Sequence, residues 1–152
     1  MSMHGTRLGK TALAAGVFGL LALGLVSCGG GDGTTVAVGL QEFSVNPAED
    51  SASAGSITFE VENTGPDDVH EFVVIKTDLA PDALPTDGDG VVDESGGGME
   101  VIDEIEDIPV GETQSVTVEL DAGAYVLICN IWDEDEQEAH YSEGMRTGFT
   151  VE

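Results

Sequence analysis

Three residues able to bind a soft metal fall in one stretch, YVLICNIWDEDEQEAHYSEGMRTGFTV, residues 125–151. They are Cys129, His140 and Met145. A thiolate, an imidazole and a thioether together suit copper in both oxidation states. Sulfur favours Cu(I), and a geometry imposed by the protein tolerates Cu(II). Such a set lacks one imidazole. Beyond residue 27 the only other histidine is His70, in DDVHEFVVIK, and the only other methionine is Met99. His70, Cys129, His140 and Met145 are therefore candidate copper ligands. Plainer readings compete: a buried structural cysteine, two unrelated surface histidines, and a methionine that packs without ligating. Zinc also accepts Cys and His, but it does no redox work.

The cysteine count bears on the choice. An exported protein with two cysteines would ordinarily form a disulfide. Here the second cysteine, Cys28, follows a basic start (Met1 to Lys10) and an apolar run, TALAAGVFGLLALGLV, residues 11–26. That run is short for a membrane span and fits an export signal. Leu25-Val26-Ser27-Cys28 resembles the lipobox of prokaryotic lipoproteins. The resemblance implies cleavage before Cys28 and lipidation of its sulfur, and two acyl chains suffice for stable anchoring. Residues 1–27 are then a lipoprotein signal peptide, and residues 28–35 a lipidated Cys with a flexible Gly-rich tether. An ordinary secretory signal and an uncleaved anchor are the alternatives. With Cys28 lipidated, Cys129 has no disulfide partner. A lone exported thiol invites oxidation, and metal ligation is a physical reason to keep one.

Charge narrows the partners. The chain has 152 residues and a net charge of −26, from thirty acidic residues against four basic ones. The signal region holds no carboxylate, so beyond residue 27 all thirty face only Lys76 and Arg146. Such a surface repels nucleic acid. It suits a basic protein partner, free cations or high salt.

The elements that must position the four candidates read as strands. Ile57, Phe59 and Val61 alternate with Thr58 and Glu60, and Val116, Val118 and Leu120 alternate with Thr117 and Glu119. Further strands are predicted at 36–45, 69–76, 101–105, 124–130 and 147–151. Turn signals separate them: Asn46-Pro47, Asn63-Thr64-Gly65-Pro66, Pro109-Val110-Gly111 and Asp121-Ala122-Gly123. The pattern predicts an all-β, Greek-key β-sandwich of about seven to eight strands over residues 36–152. Residues 78–98 are predicted to form a long loop with one helical turn near 79–84. Asp87, Asp89 and Asp93 in that loop partly match a calcium-binding pattern, but Pro85 and Gly96 stand where its end ligands belong. A solvated acidic loop is the better reading.

Several phrases carry a family resemblance: Phe59-Glu60-Val61-Glu62-Asn63-Thr64-Gly65, His70-Glu71-Phe72-Val73-Val74, Gly123-Ala124-Tyr125-Val126-Leu127-Ile128-Cys129-Asn130, and His140-Tyr141-Ser142-Glu143-Gly144-Met145. From about Val36 to Val151 the chain resembles the cupredoxins, small blue-copper domains. The resemblance implies copper ligation by His70, Cys129, His140 and Met145, and electron passage through the solvent-facing edge of His140. It implies a one-electron carrier, not an enzyme by itself. The expected setting is a monomer on the outer face of the cytoplasmic membrane, serving a redox partner such as a basic cytochrome or oxidase domain. A copper storage or uptake module, and a metal-free acidic domain, are the competing readings.

Two departures set this chain apart. Residues 130–139 make the Cys-to-His segment longer than is usual in the family. The added residues are mostly acidic: Asp133, Glu134, Asp135, Glu136 and Glu138. Doubling a loop costs only about 0.6 kcal/mol in closure entropy, so the site can survive. The run is read as a solvated face or as a docking patch. A carboxylate about 10 Å from copper disfavours the reduced site by roughly 0.4 kcal/mol, on the order of 20 mV. The second departure is Glu71, which follows the first His where several cupredoxins have Asn. It puts the hydrogen bonding around the sulfur in question.

Overall fold

The computed structural model describes residues 33–152. The signal peptide, Cys28 and most of the tether lie outside the described residues. Period-two patterning yields the strands β1 (Thr34–Gln41), β2 (Ser44–Pro47), β3 (Ser51–Ala52), β4 (Gly55–Asn63), β5 (His70–Thr77) and β6 (Met99–Ile108). They are followed by β7 (Thr113–Leu120), β8 (Gly123–Ile128), β9 (Trp132–Asp133), β10 (Glu138–Ala139), a single helical turn α1 (His140–Glu143) and β11 (Arg146–Val151).

One sheet has the order β2–β1–β4–β7 and the other β3–β11–β8–β5–β6, while β9 and β10 pair separately. β1 runs parallel to β4, with Val36 opposite Phe59 and Val38 opposite Val61. Antiparallel pairing then sets Phe59 against Val116. Because side chains alternate along a strand, Val36, Val38 and Leu40 of β1 turn inward with Ile57, Phe59 and Val61 of β4. They meet Phe72, Val74, Leu127 and Phe149 from the other sheet in one buried core. Phe59 sits at its centre, with ring centroids 5.4 Å from Phe72 and 5.5 Å from Phe149.

The runs FVVI in β5 and VLI in β8 do not alternate, which is the mark of strands covered on both faces. The second cover is the 78–98 loop. Leu84 and Val92 pack with Tyr141 on Val73, Ile75, Val126 and Ile128. The loop is thus an outer wall of the fold rather than a solvated excursion. No helical turn forms at 79–84; Ala83 N–H donates to Ala80 O (2.9 Å) in a tight turn. The acidic side chains serve the loop itself. Asp87 Oδ1 accepts from the amides of Asp89 and Val91, and Asp93 Oδ1 from the amide and hydroxyl of Ser95. Among the described residues, no cluster fit to hold a metal includes Asp87, Asp89 or Asp93.

Eight strands of four residues or more form the predicted all-β sandwich, and the two-residue pieces β3, β9 and β10 bring the total to eleven. Other expectations need correction. The segment 36–45 breaks at Glu42–Phe43. β1 starts at Thr34, inside the predicted tether, because Thr34 and Thr35 pair with Ile57 and Thr58. Asn46-Pro47 is strand, not turn. β2 is an edge strand, where a proline's missing N–H breaks no ladder.

One buried polar residue steadies the approach to β5. Asn63 Nδ2 donates to the carbonyls of Asp68 (2.7 Å) and Ile108 (2.8 Å), and its Oδ1 accepts from Gly65 N–H (2.8 Å). The segment between β4 and His70 is thereby tied to the end of β6.

Candidate metal centre

His70 opens β5 and Cys129 follows the last residue of β8, so adjacent antiparallel strands deliver an imidazole and a thiol to the same pole. The segment after Cys129 returns through the β9–β10 hairpin. Ala139 pairs with Trp132, and His140 N–H donates to Ile131 O (3.0 Å). Asp133 Oδ1 closes the turn by accepting from the amides of Asp135 (2.7 Å) and Glu136 (3.0 Å). The additional residues are spent on a self-contained ladder. Its two ends stay together, and that lets a long insertion leave His140 beside Cys129. The single turn α1 then brings the chain to Met145, whose carbonyl accepts from Cys129 N–H (3.0 Å). Gly144 is needed there: its φ is +135°, and a Cβ would sit 3.0 Å from Phe43 O.

The wall loop holds this segment from outside. Tyr141 hydroxyl donates to Pro81 O (2.7 Å) and accepts from Leu84 N–H (3.2 Å). Asn130 accepts from Val92 N–H (2.7 Å) and donates to Val92 O (3.1 Å), and Ser142 hydroxyl donates to Gly90 O (2.7 Å). Arg146 stacks its guanidinium 5.0 Å from the Tyr141 ring centroid and donates to the Tyr141 carbonyl at the end of α1.

Three predicted ligands come together. His70 Nδ1 lies 3.3 Å from His140 Nδ1, and Cys129 Sγ lies 3.9 Å and 3.5 Å from those two nitrogens. A triangle with these edges has a circumradius of about 2.1 Å, which is a metal–nitrogen or metal–sulfur bond length. The three residues are buried. Both Nε2 atoms are buried with no hydrogen-bond partner, so the paired Nδ1 atoms are the ones turned toward the sulfur. Met145 is fully buried in the same core cluster as Cys129.

The electrostatics match a site completed by a cation. Burial, then the neighbouring His140, pushes the His70 pKa down to about 4, against an opposing pull from Glu42. Burial also lowers that of His140. Burial thus favours the neutral imidazole in both, the form a metal ligand needs. Burial pushes the Cys129 thiol up to about 12, even though the Glu71 and Ile131 amides favour the thiolate. A bound cation reverses that balance by compensating the sulfur's charge. The donor set of two neutral nitrogens and one ionisable sulfur therefore fits a single soft or borderline metal ion.

The Glu71 question resolves at the backbone. Glu71 N–H donates to Cys129 Sγ (3.3 Å), a backbone bond that any residue except proline would supply. Its side chain points elsewhere, toward Glu94 and Glu104. Burial, then the charges of Glu94, Glu104 and Glu106, raises its carboxyl to about 7.

One expectation fails. His140 was expected to show an edge to solvent, yet it is only 1% exposed. Phe43 meets its ring edge-on at 5.3 Å, and carboxylates of Asp68 and Asp133 lie within 4.8 Å of one of its nitrogens. The β1–β2 turn and the hairpin cover it. Sequence reasoning also missed Glu42, whose Oε1 is 3.4 Å from His70 Nε2. Nothing in the local pattern at 41–44 marks a turn beside a metal site.

No family model matches this chain, and no curated protein matches it. Solved structures do. An auracyanin from Roseiflexus castenholzii is 22% identical, with 78% of this chain and 97% of that chain covered and a TM-score of 0.57. Auracyanin A from Chloroflexus aurantiacus, described as a "blue" copper protein, is 20% identical over 80% of this chain and all of its own, with a TM-score of 0.54. Rusticyanin from Thiobacillus ferrooxidans is 18% identical, with 81% and 79% covered and a TM-score of 0.50. The chain has the cupredoxin fold, and at its pole a His–Cys–His cluster of metal-binding geometry.

Proposed function

We propose that the chain is a blue-copper electron carrier. Copper would be held by His70, Cys129 and His140, with Met145 offering a thioether, and would cycle between Cu(I) and Cu(II). The observation that carries this reading is the buried triangle of two Nδ1 atoms and one Sγ, already spaced for a common ion. A rigid set of two imidazoles, a thiolate and a thioether would change little between the two oxidation states, which would favour fast one-electron exchange. The chain's own residues hold the ligands still: the Glu71 amide on the sulfur, and the wall loop on Tyr141 and Asn130. The protein acts as a carrier rather than as an enzyme by itself.

Lipidation of Cys28 would anchor it to the outer face of the cytoplasmic membrane. Its redox partner would present a basic face to the acidic hairpin, as a cytochrome or oxidase domain could.

Adding Cu(II) to the metal-free protein tests the main reading. The expected result is one bound copper and an intense blue or green thiolate band, bleached by reduced c-type cytochrome. A colourless protein that takes up no copper ends it. Release of the chain from membranes by salt, without detergent, would end the lipid anchor.

The hairpin makes a separate prediction. Replacing residues 132–138 with a short Gly-Ser link should leave copper bound but uncover His140 and remove five carboxylates, Asp133 to Glu136 and Glu138. The reduction potential should rise. Oxidation by an anionic reagent such as ferricyanide should speed up about tenfold at low salt. Unchanged potential and unchanged rates would make the hairpin a bystander.

A further inference from the structure

Beside the ligand triangle, the buried Nε2 of His70 lies next to the carboxylate of Glu42. His70 Nε2 has no hydrogen-bond partner, and neither does Glu42 Oε2. Glu42 Oε1 lies 3.4 Å from that nitrogen, and the Glu42 side chain is only 11% exposed. Its carboxylate is aimed, not loose: Oε1 accepts from the amides of Asp68 (2.8 Å) and Asp67 (3.3 Å). Those amides belong to the segment that Asn63 ties down through Asp68 O, so the carboxylate rests on a fixed support.

We infer that Glu42 is the positioning residue of the metal centre: its carboxylate takes the Nε2–H of His70, leaves Nδ1 free for the ion, and sets the site's preference for the oxidised metal. The inference rests on the copper reading above. The Glu42 carboxylate can satisfy the buried His70 Nε2 only when His70 carries its proton on that nitrogen. That tautomer turns an unprotonated Nδ1 toward Cys129 and His140. A histidine ligand backed by a carboxylate is also more basic and better fixed in orientation.

Charge supplies the second half. Cu(II), the Cys129 thiolate and the Glu42 carboxylate together are neutral. One-electron reduction leaves a net negative charge in a place without water, which is costly. Glu42 thus holds the potential down from inside the fold, where salt screens least. The surface carboxylates of the hairpin act more weakly and through solvent.

Two substitutions divide the claim. Glu42→Gln keeps the shape and removes the charge. The ratio of Cu(II) to Cu(I) affinity should fall about 10–100-fold, with a matching rise in potential that persists at high salt. Glu42→Asp, which keeps the charge, should recover part of the shift. Glu42→Met removes the acceptor. In metal-free protein, long-range proton–nitrogen NMR should show His70 protonated at Nε2 in the wild type. Glu42→Met should lose that preference. A wild-type His70 protonated at Nδ1, or an unmoved potential in Glu42→Gln, overturns the inference. If the wild type binds no copper, the proposed function falls, and the metal-free tautomer still decides the role of Glu42.

Discussion

Replacing Cys129 with alanine should abolish the intense visible band and weaken Cu(II) binding by more than a hundredfold, while the domain stays folded. Cys129 supplies the only anionic ligand of the triangle. Without it, a doubly charged ion would occupy a buried pocket with two neutral imidazoles for company. Removing one partner of a buried charge pair costs about 3–5 kcal/mol, more than two orders of magnitude in affinity. The fold itself loses little, because alanine keeps the Cβ and forfeits one buried sulfur. Titration with Cu(II) at visible wavelengths and thermal melting of the metal-free variant separate the two effects. A variant that keeps the band would place the chromophore elsewhere and remove Cys129 from the site.

Phe59→Ala should be the costliest single change to the sandwich. Phe59 is fully buried and bridges the sheets by touching Phe72 of β5 and Phe149 of β11. Deleting such a ring costs about 3–5 kcal/mol through lost transfer energy and the cavity left behind. Against a typical domain stability of about 5–15 kcal/mol, that consumes a large share. Urea unfolding of the metal-free protein should show the midpoint falling with little change in slope. A loss under about 1 kcal/mol would mean that the core collapses freely around the gap. Copper should offset part of the loss in the loaded protein, since it binds only the folded state.

The sandwich was legible because burial writes itself into alternation. ITFEV and VTVEL show one face each, and FVVI in β5 shows two. The cluster of His70, Cys129 and His140 was legible because soft donors are scarce in this chain. What escaped notice were places where backbone geometry acts without its usual residues. The reversal at Glu42–Phe43 carries no Gly, Pro, Asn or Asp. In the hairpin, Gln137 takes a φ of +58° where a glycine or asparagine would ordinarily announce a turn. The acidic run reads as solvated because its charges are exposed. Its covering of His140 depends on backbone pairing between β9 and β10, which charge patterns do not report. Glu42 is separated from His70 by β2, β3 and β4, so only tertiary structure brings them together.

The enclosure of the ligand triangle also governs time. Cys129 and His70 are fully buried and His140 is only 1% exposed, so a metal ion held between them would be enclosed by the fold. Loading and loss would then depend on movement of the residues that cover it, Phe43 of the β1–β2 turn and Asp133 of the hairpin among them. The residence time of the metal is then set by how often the protein opens, as much as by the strength of its bonds.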